Sequence, residues 1–445
     1  MLTSTDDILS PTPKKFLIVG GGVFGLNAAI ALRQRQHTVI VFDRLPIPAE
    51  DGSSNDINRI VRMDYGAKGL EQGLAEKAIL KWREWNDDAT KVLPDDDRPL
   101  FDECGIILAC QDKVLGPYER GCVEFLSSIG HGPLLQELSA SELGDKFPAF
   151  AEATSNSVMQ SAYYNKLGGM VNANKAMVYL KAKADAMGVE FFTGEDHGSV
   201  ADFISNADGR VAGLTTRDGV HHYADAVLVA AGAWSASIVP ELASLVVASG
   251  QPVIYVSVPE NLREEFSSKN FPVWTADITK TGIYGFPVQE GVLKFACHSL
   301  GFTNPTPAPW SSDPSTLISI PSPVGTPLGD TIPAPKYKEM LSFLRTLFPS
   351  LADAPVARAR LCWYTNTFDE RFVISAVPHR EGLYVATGGS GHGFKFAPVI
   401  GDVIADVVSG IESEVAKGFA WRDSPAGTGL YLPKGDGTLR EHLPI

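Results

Sequence analysis

The sequence is poor in cysteine, and the few cysteines it has form no metal-binding pattern. Five occur among 445 residues, with no Cys-x-x-Cys pair and no Cys/His cluster at the spacing of metal ligands. A disulfide-stapled small fold and a structural zinc module are therefore excluded, and we expect no metal site. Sparse, scattered cysteines are typical of a reducing compartment. Because five is odd, at least one cysteine is left for another role.

Long apolar runs are missing as well. No stretch approaches 18 uninterrupted apolar residues, so we expect no transmembrane helix. Residues 1–15 contain acidic residues and prolines where a secretory signal needs a basic start and an apolar run. The last three residues are not a Ser-Lys-Leu peroxisomal signal. These features predict a cytoplasmic location and leave a peroxisomal one open.

Positive charge is scarce. Lysine and arginine total 38 against 52 aspartate and glutamate residues, which gives a net charge of −14. A surface of this sign repels nucleic-acid backbones and anionic lipid, so we expect neither nucleic acid nor membrane as a partner. Hydrophobic residues make up 44% and charged residues 20% of the chain, which is ordinary for a globular protein. The length predicts roughly two to three domains.

What the sequence does contain begins near its N-terminus, with a strand, a glycine turn, a helix and a second strand. Residues 16–19 are a short apolar run, residues 23–35 have helical spacing, and residues 38–42 form the second strand. This order predicts a parallel βαβ unit. Farther along, residues 71–87 have helical spacing, and the acidic, proline-broken residues 88–99 are predicted as a loop.

The turn between the first strand and the helix reads Gly20-x-Gly22-x-x-Gly25. Gly20 allows the tight turn, Gly22 lets the backbone approach a pyrophosphate, and Gly25 lets helix and strand pack closely. The N-terminus of the helix offers free N–H groups to the anion, and Asp43 at the end of the second strand can accept hydrogen bonds from a ribose. This context favours a dinucleotide site over a glycine turn kept only for packing, and either FAD or NAD fits it.

Two later segments repeat the strand-to-glycine arrangement. Residues 226–230 run into the small-residue turn 231–234, and residues 383–387 run into a pair of glycines. Such turns let the backbone approach a cofactor at further places, which FAD needs more than NAD because FAD is longer; a plain βα turn is the alternative. The dispersal predicts one binding domain built from discontinuous segments, with a β-rich domain inserted between them.

Two stretches near the C-terminus are richer in chemistry. Residues 361–370 read LCWYTNTFDE, and residues 388–396 read GGSGHGFKF. The second is a glycine-rich loop between a strand and a helix, and its N–H groups and Lys395 suit an electron-rich ring edge or a carboxylate. Cys362 stands beside aromatic residues, where a thiolate could serve as a nucleophile, although a buried apolar cysteine is the ordinary interpretation.

Together these two stretches resemble the monomeric sarcosine oxidase family of flavoenzymes, which includes pipecolate oxidase, saccharopine oxidase and the fungal fructosyl amino acid oxidases. The resemblance extends from Phe16 to about Gly410. It implies an α/β fold with an FAD-binding Rossmann-like domain of the glutathione-reductase type and an inserted α+β substrate domain built on a large mixed or antiparallel sheet. The expected boundaries are 1–90, 155–240 and 350–445 for the FAD-binding domain, and 91–154 and 241–349 for the substrate domain.

The resemblance implies that FAD is bound covalently, through a thioether between Cys362 and the 8α-methyl group of the flavin. This gives Cys362 a task that its position alone does not. The glycine pattern and the resemblance together predict the other cofactor contacts, which are Gly20, Gly22, Val23, Phe24, Gly25, Asp43, Arg44, Ser53, Ser54, Arg59, Ala231, Gly232, Trp234, Gly389, Gly391, His392, Gly393, Phe394 and Lys395.

The resemblance also implies roles for charged residues towards the substrate. It implies that Arg59 lies against the flavin and acts in catalysis, and that Arg62 pairs with the substrate carboxylate. A guanidinium group binds a carboxylate through two parallel hydrogen bonds, so the residue type fits this role. Two solvated arginines are the alternative interpretation without the family. Lys395 is expected to hold the same carboxylate.

A further lysine is implied for the reaction with oxygen. Lys294 matches the residue beside the flavin at which O2 is reduced, where an ammonium group stabilises developing negative charge; a lysine facing water from an alternating strand is the alternative. His298 matches a histidine of the sarcosine oxidase branch, whereas the fructosyl amino acid branch typically has an acidic residue in this neighbourhood. Tyr284 and Tyr364 match aromatic residues that flank the substrate and would otherwise be ordinary core tyrosines.

These residues predict an oxidase that converts the C–N bond of a secondary amine of an α-amino acid to an imine and reduces O2 to H2O2. The expected substrate is N-substituted or cyclic, of the sarcosine, pipecolate or saccharopine kind. The proline-rich segment 302–335 favours the fungal saccharopine and fructosyl amino acid branches, and a fructosyl amino acid oxidase is the alternative. A flavin dehydrogenase with another electron acceptor and a non-catalytic FAD protein are further hypotheses. The expected partners are an amino acid or amine and O2, and the expected state is a monomer.

Overall fold

A computed structural model describes residues 12–66, 69–326, 329, 331–424, 429–433 and 435–439 of the protein. The strands in these residues are β1 (Lys15–Val19), β2 (Thr38–Asp43), β3 (Arg59–Arg62), β4 (Phe101–Asp102), β5 (Ile106–Cys110), β6 (Leu135–Ser139), β7 (Ser161–Asn165), β8 (Gly168–Val171), β9 (Glu190–Thr193), β10 (Val200–Ser205), β11 (Val211–Thr216), β12 (His221–Tyr223), β13 (Ala226–Val229), β14 (Val246–Ser257), β15 (Val273–Ala276), β16 (Ile283–Gly285), β17 (Val292–Cys297), β18 (Pro305–Pro307), β19 (Leu317–Ser319), β20 (Val356–Thr367), β21 (Val373–Ala376) and β22 (Leu383–Thr387). The α-helices are α1 (Val23–Gln34), α2 (Gly69–Val92), α3 (Pro117–Ser128), α4 (Ala140–Lys146), α5 (Ala151–Ser155), α6 (Ala173–Ala186), α7 (Ser235–Ile238), α8 (Ile278–Thr281), α9 (Ala334–Leu347), α10 (Ala397–Ser409) and α11 (Glu414–Gly418).

The first large sheet has six strands in the order β21-β22-β13-β1-β2-β9. All neighbours are parallel except β21 and β22. Alternate side chains of β1 enter two different cores: Phe16 and Ile18 pack with α1 and α10, whereas Leu17 and Val19 pack with residues of the small sheet β10-β11-β12. The six-stranded sheet is therefore a middle layer, which explains why its central strands are almost continuously apolar.

The second large sheet has eight strands in the order β20-β14-β17-β16-β15-β5-β7-β6. Neighbours are antiparallel except β15 and β5, which are parallel. The long strands β14 and β20 pair from Val246 opposite Thr367 to Val256 opposite Val356. One face of the sheet packs on α9 and on a cluster of aromatic side chains around Phe348. This sheet thus has a hydrophobic core separate from that of the first.

A small sheet, β3-β8-β4, carries two of the predicted arginines. Arg59 and Arg62 are the first and last residues of β3. Because residues three apart in a strand point to opposite faces, the two guanidinium groups enter different clusters. A Cβ added to Gly169 of β8 would lie 2.0 Å from the backbone O of Asp102 in β4. A glycine is therefore required where β8 passes between its two neighbours.

The predicted α/β class is confirmed, and so are the mixed sheets. The N-terminal βαβ unit is present, with β1 and β2 parallel and α1 between them. In the described part of the predicted irregular segment 302–335, the strands are the short β18 and β19. Two strands from the segments predicted for the FAD-binding domain belong to the eight-stranded sheet: β7 lies between β5 and β6, and β20 pairs with β14 at the other end. The domain boundaries themselves stay a prediction.

One prediction about local structure is wrong. The acidic residues 88–99 were expected to form a loop from their first residue, but α2 continues to Val92. Asp88 is held in the helix because its carboxylate accepts a hydrogen bond from Tyr179 Oη at 2.6 Å. The helix stops two residues before Pro94, since proline cannot donate the next backbone hydrogen bond. Proline thus ends the helix, and the acidic residues do not.

Two expected absences can be checked on the described residues. None of their helices combines the length and the apolar character needed to cross a membrane. Within the same residues, no group of three or more histidine, cysteine or acidic side chains is placed to hold a metal ion. The cytoplasmic location stays a prediction.

Candidate active site

Residues of both large sheets line a cavity of about 790 Å³. They include Gly20, which follows β1, and Tyr284 on β16. Every residue predicted for the site lines this cavity except Gly25, Lys294 and Cys362. The fold therefore brings the N-terminal glycine turn, the arginines of β3 and the C-terminal glycine loop to one place.

The glycine turn after β1 is shaped for close approach. A Cβ on Gly20 (φ +106°) would lie 2.5 Å from the backbone O of Ala230, and a Cβ on Gly25 would lie 1.9 Å from the backbone O of Gly20. The absence of a side chain at Gly25 therefore lets α1 pack against the backbone of the turn at Gly20. Gly22 is the N-cap of α1 and has no side chain of its own to cap the helix, and the N–H of Val23, the first residue of the helix, donates to Ser54 Oγ at 3.0 Å. The rest of the first turn of α1 can offer backbone N–H groups to an anion, which fits the pyrophosphate of a dinucleotide.

Asp43 lies at the end of β2, on the cavity wall. One of its carboxylate oxygens accepts from the backbone N–H of Gly21 at 2.8 Å, and the other from that of Leu45 at 3.0 Å. Burial raises the pKa of Asp43, and the two hydrogen bonds oppose this rise. The guanidinium of the next residue, Arg44, lies 4.4 Å from the ring centre of Trp234. The fixed carboxylate of Asp43 suits the hydroxyl groups of a ribose, and the stacked Arg44 and Trp234 suit an aromatic base.

The C-terminal glycine loop, residues 388–396, packs against β20. A Cβ on Gly391 (φ +74°) would lie 2.4 Å from the ring of Tyr364. The backbone N–H of Ser390 donates to the backbone O of Thr365 at 3.0 Å. These contacts fix the loop on the cavity wall and allow no side chain larger than hydrogen at position 391.

Cys362 lies on β20, behind the cavity wall. Its side chain is buried and packs with Tyr284 and Tyr364. Arg59 Nη2 lies 3.5 Å from Cys362 Sγ and donates to the backbone O of Ser53 at 2.6 Å. Arg59, Tyr284 and Tyr364 all line the cavity, so the sulfur is one side chain away from it.

A buried carboxylate that sequence reasoning missed lies at the centre of the site. Asp56 Oδ2 is 2.9 Å from Lys294 Nζ and 3.1 Å from Arg360 Nη2, and it also pairs with Arg59. The other oxygen of Asp56 accepts a hydrogen bond from Tyr255 Oη at 2.7 Å. With three cations around one buried carboxylate, the charge state of each group depends on the others.

Lys294 is one of these cations, and it is almost fully buried. Its Nζ donates to the backbone O of Asn58 at 2.7 Å. Burial lowers the pKa of Lys294 to about 7, against the opposing effect of Asp56. Burial would raise the pKa of Asp56, but Lys294 and the two arginines beside it hold that pKa well below its usual value. Asp56 is therefore ionised, and Lys294 titrates near neutral pH.

Local spacing gives a partial signal for two of the missed residues, Asp56 and Arg360. Arg360 is two residues before Cys362 on β20, and residues two apart in a strand share a face. Asp56 lies three residues before Arg59, within reach of its guanidinium. Strand β20 therefore carries both Cys362 and, on the same face, the guanidinium group of Arg360.

Arg62 belongs to a second cluster, on the other face of β3. Its Nη1 donates to Tyr118 Oη at 2.9 Å, and its guanidinium carbon lies 5.3 Å from the ring centre of Tyr65. The carboxylate of nearby Asp64 accepts hydrogen bonds from Tyr163 Oη at 2.5 Å and Asn165 Nδ2 at 3.0 Å. Both hydrogen bonds go to Asp64 Oδ1, whereas Oδ2 has no hydrogen-bond partner among the described residues. Arg62 Nη1 donates to the backbone O of Asp64 and not to its carboxylate.

Lys395 joins this cluster through a chain of hydrogen bonds. Its Nζ donates to Tyr65 Oη at 2.9 Å, and Tyr65 Oη lies 2.9 Å from His392 Nδ1. His392 Nε2 lies 2.9 Å from the backbone O of Glu370, which only accepts. The proton of the neutral imidazole is therefore on Nε2, and Tyr65 donates to Nδ1. Burial lowers the pKa of His392 to about 3, with a further contribution from Lys395, so the ring stays neutral.

Arg62 and Lys395 together form a cationic pole of the cavity. Burial and the charge of Arg62 lower the pKa of Lys395 well below its usual value. Within the residues that the structure describes, neither side chain has a carboxylate within 4 Å. A bound anion would relieve the repulsion between the two groups and raise the pKa of Lys395. The pole therefore fits a carboxylate ligand.

The remaining predicted residues form a less charged wall. Tyr284 Oη and Tyr364 Oη are 3.3 Å apart, and the ring of His298 is tilted against that of Tyr364 at 6.0 Å between centres. Burial lowers the pKa of His298, the charge of Glu370 opposes this effect, and Arg62 and Lys395 add smaller lowering contributions. A neutral imidazole and two phenols can flank an uncharged amine without competing for the carboxylate.

Comparison of the sequence with known proteins supports a flavin-binding site in this cavity. Residues 15–407 match the family model described as FAD dependent oxidoreductase, and the chain belongs to this family. Over 423 residues it is 31% identical to L-saccharopine oxidase of Schizosaccharomyces pombe, which covers 92% of this chain and 93% of that protein. It is 26% identical to N-methyl-L-tryptophan oxidase of Salmonella typhi, over 88% of this chain and 94% of that protein.

Solved structures give the same result. The chain superposes on fructosyl peptide oxidase from E. terrenum with a TM-score of 0.82 and 25% identity, over 94% of each chain. It superposes on fructosamine oxidase from Aspergillus fumigatus (Amadoriase II) with a TM-score of 0.77 and 25% identity, over 92% of this chain and 90% of that one. The predicted resemblance to the sarcosine oxidase family is confirmed, and with it FAD as the cofactor and an oxidoreductase as the class.

Proposed function

We propose that this protein is a flavoprotein oxidase that converts the C–N bond of a secondary amine of an α-amino acid to an imine and reduces O2 to H2O2. The observation that carries the proposal is the combination of a dinucleotide turn, a cationic pole and a buried lysine around one cavity. The relatives named L-saccharopine oxidase and N-methyl-L-tryptophan oxidase support an N-substituted amino acid as substrate. We also propose that the protein is a monomer.

FAD is held mainly by the six-stranded sheet and the turns that follow its strands. In this proposal the sheet, with its helices and the small sheet β10-β11-β12, is a Rossmann-like domain of the glutathione-reductase type, and the eight-stranded sheet forms the substrate domain. The presence of both β7 and β20 in the eight-stranded sheet supports moving these two strands from the predicted FAD-binding segments to the substrate domain. When bound, FAD supplies a two-electron acceptor that the side chains lack.

Cys362 attaches the cofactor covalently in this proposal. A thioether to the 8α-methyl group needs a cysteine that is close to the ring edge and shielded from competing thiols. The contact between Arg59 and the sulfur and the burial of Cys362 under Tyr284 and Tyr364 support this assignment. Arg59 contacts the sulfur of Cys362 and also forms an ion pair with Asp56.

Arg62 and Lys395 bind the substrate carboxylate and thereby orient the carbon next to nitrogen. Two fixed cations on one carboxylate leave the substrate little rotational freedom, which lowers the entropic part of the barrier. Tyr284, Tyr364 and His298 enclose the amine. Because His298 is held neutral, it does not repel an amine that retains a proton.

Lys294 supplies positive charge for the reduction of O2. The first electron transfer to O2 creates an anion, and a preorganised ammonium in a dry site stabilises that anion far better than water-exposed lysine does. Asp56 holds the ammonium in place. A dehydrogenase with another electron acceptor has no need of this buried lysine.

A fructosyl amino acid oxidase is the second candidate, and the superposition on fructosyl peptide oxidase favours it. Against it stands His298, in the neighbourhood where the fructosyl amino acid branch is expected to have an acidic residue. An imidazole held neutral by burial cannot give a sugar ring the paired acceptors of a carboxylate.

A peroxide assay over a set of amines separates these candidates. We expect H2O2 from one or more of sarcosine, pipecolate, saccharopine and N-methyl-L-tryptophan, with slower or no turnover of fructosyl amino acids. Turnover of fructosyl amino acids alone would establish the second candidate. Reduction of the bound cofactor by substrate without H2O2, together with rapid reduction of a dye, would establish a dehydrogenase.

A further inference from the structure

A buried carboxylate on the cavity wall has no part in the reaction described above. Glu71 lies in the first turn of α2, is 3% exposed and lines the cavity. Its Oε1 lies 3.5 Å from Arg371 Nε. Its Oε2 is buried and has no hydrogen-bond partner among the described residues. Arg371 also lines the cavity, and its side chain is about half exposed, at 48%.

This carboxylate is poorly compensated for its burial. An ion pair at 3.5 Å without a hydrogen bond recovers only part of the hydration that a buried carboxylate loses. The N-terminus of α2 adds a modest favourable field. A ligand with N–H donors would satisfy Oε2, and a ligand with an anionic group would share Arg371. One group that brings both is the ammonium and carboxylate of an α-amino acid.

Glu71 and Arg371 lie beside the cationic pole. His392 is hydrogen-bonded to the backbone O of Glu370, the residue before Arg371, and through Tyr65 to Lys395. Burial raises the pKa of Tyr65, and the charge of Glu71 adds to this effect, so Glu71 is also near that ring. The cavity thus has a cationic pole at one place and a paired acid and base at another.

On the basis of the proposed function, we propose that Glu71 and Arg371 form a second subsite, which binds the ammonium and carboxylate groups of a distal amino acid. The preferred substrate is then a compound in which two amino acids share one secondary nitrogen. Arg62 and Lys395 hold the carboxylate next to the reacting carbon, and the second subsite holds the far end of the other amino acid. The subsite determines specificity and does not take part in the chemical step.

Other N-substituents fit this pair less well. An alkyl or aromatic group would cover Glu71 without donating to Oε2, which costs free energy. Sugar hydroxyls could donate to Glu71 but carry no anion for Arg371. An amine without a carboxylate would satisfy Glu71 and leave Arg371 exposed to repulsion from the ammonium. The zwitterionic end matches both members of the pair.

The test compares two substrates that differ only at the distal end. Saccharopine joins glutamate to the side-chain nitrogen of lysine, and N-pentylglutamate keeps the five carbons but lacks the lysine ammonium and carboxylate. We expect Glu71→Gln and Arg371→Met each to lower kcat/KM for saccharopine by at least about 10-fold, mainly through KM. The same variants should leave kcat/KM for N-pentylglutamate within about 2-fold.

Binding without turnover gives a second readout. A thioether analogue of saccharopine, with sulfur in place of the secondary nitrogen, should bind each variant with a Kd raised by about the same factor as KM. The matched control pair is Glu241 and Arg380, which form an ion pair at 3.4 Å away from the cavity lining. Glu241→Gln and Arg380→Met should change neither kcat/KM nor Kd.

The outcomes separate this inference from the proposed function. Turnover of both substrates with the same preference in the wild type and in both cavity variants would overturn the second subsite and leave the oxidase intact. Absence of H2O2 with both substrates and with all other secondary amines would overturn the proposed function itself. If Arg371→Met does not fold, Arg371→Lys and Glu71→Asp keep the charges but change the reach, and the same selective loss is expected for saccharopine.

Discussion

Lys294 Nζ lies 2.9 Å from Asp56 Oδ2, and both side chains are almost fully buried. The pair does not behave as two independent charges. Burial lowers the pKa of Lys294 to about 7, while Asp56 raises it. Asp56 itself stays ionised because Lys294, Arg59 and Arg360 surround it. The protein thus keeps a lysine whose charge is sensitive to small changes near neutral pH, next to the place where we propose O2 is reduced.

The first prediction concerns pH. If the ammonium form of Lys294 speeds the reduction of O2, the rate of cofactor reoxidation should be high below the pKa of about 7. It should then fall as the pH rises through that value, because the lysine loses its proton. Stopped-flow mixing of anaerobically reduced enzyme with O2, from pH 5.5 to 9, measures this rate. A rate that rises over this range would contradict the role of Lys294.

The second prediction is that Asp56→Asn moves this profile to lower pH. The charge of Asp56 raises the pKa of Lys294, so its removal lowers that pKa further, and the midpoint of the profile should fall by roughly one pH unit or more. At pH 7.5 reoxidation should then be slower than in the wild type. Tyr255→Phe, which removes only a hydrogen bond to the other oxygen of Asp56, should shift the midpoint less. An unchanged midpoint in Asp56→Asn would show that the carboxylate does not control the lysine.

The third prediction separates the two halves of the reaction. Lys294→Met should be reduced by substrate under anaerobic conditions at close to the normal rate, since Lys294 does not line the cavity. Reoxidation by O2 should slow by about 100-fold or more, because a neutral side chain cannot stabilise the superoxide-like charge. Lys175 offers a matched control: it is a similarly buried lysine, at 3% exposure, and like Lys294 it is not part of the cavity lining, but its partner is Asp96 and not Asp56. Lys175→Met should leave the reoxidation rate unchanged, and equal rates in both variants would remove Lys294 from its role.

The fourth prediction concerns the attachment of the cofactor. After acid precipitation of the wild type, yellow flavin should stay in the pellet, and in Cys362→Ser it should appear in the supernatant. Cys297→Ser is the matched control, because Cys297 is also buried, is also outside the cavity lining, and lies in the same sheet on β17, two strands away from β20. Its flavin should remain in the pellet. Release of all flavin from the wild type would disprove the thioether.

The sequence predicts strands, turns and helices well where a motif occurs only in one local geometry. The turn Gly20-x-Gly22-x-x-Gly25 implies a strand before it and a helix after it, and both are present. The family pattern also selects residues that line the cavity. It also implies separate roles for Arg59 and Arg62, but the physical reason for the separation, that β3 is a strand with opposite faces, comes from the structure.

Asp56 and Glu71 were missed for a related reason. In the sequence, an acidic residue near lysine or arginine resembles any solvated surface charge. Only the fold shows that Asp56 is enclosed by three cations, two of which lie more than 200 residues away in the chain. Burial of a charge is a property of tertiary structure, since it depends on what packs around the residue and not on its neighbours in sequence. Sites that depend on buried charges are therefore the hardest functional sites to predict from sequence motifs.

The fifth prediction tests the cationic pole. Arg62→Met should raise KM for an N-methyl amino acid by about 100-fold, because it removes one of two cations from the substrate carboxylate. Lys395→Met should have a comparable effect, and it should also raise the pKa of His392, since the charge of Lys395 contributes to lowering it. A secondary amine without a carboxylate serves as the internal control: its kcat/KM should be low in the wild type and nearly unchanged in both variants. The KM values come from initial rates of H2O2 formation at saturating O2. If the carboxylate-free amine lost as much activity as the amino acid, Arg62 and Lys395 would act on the fold or the cofactor, and the carboxylate would have to bind elsewhere.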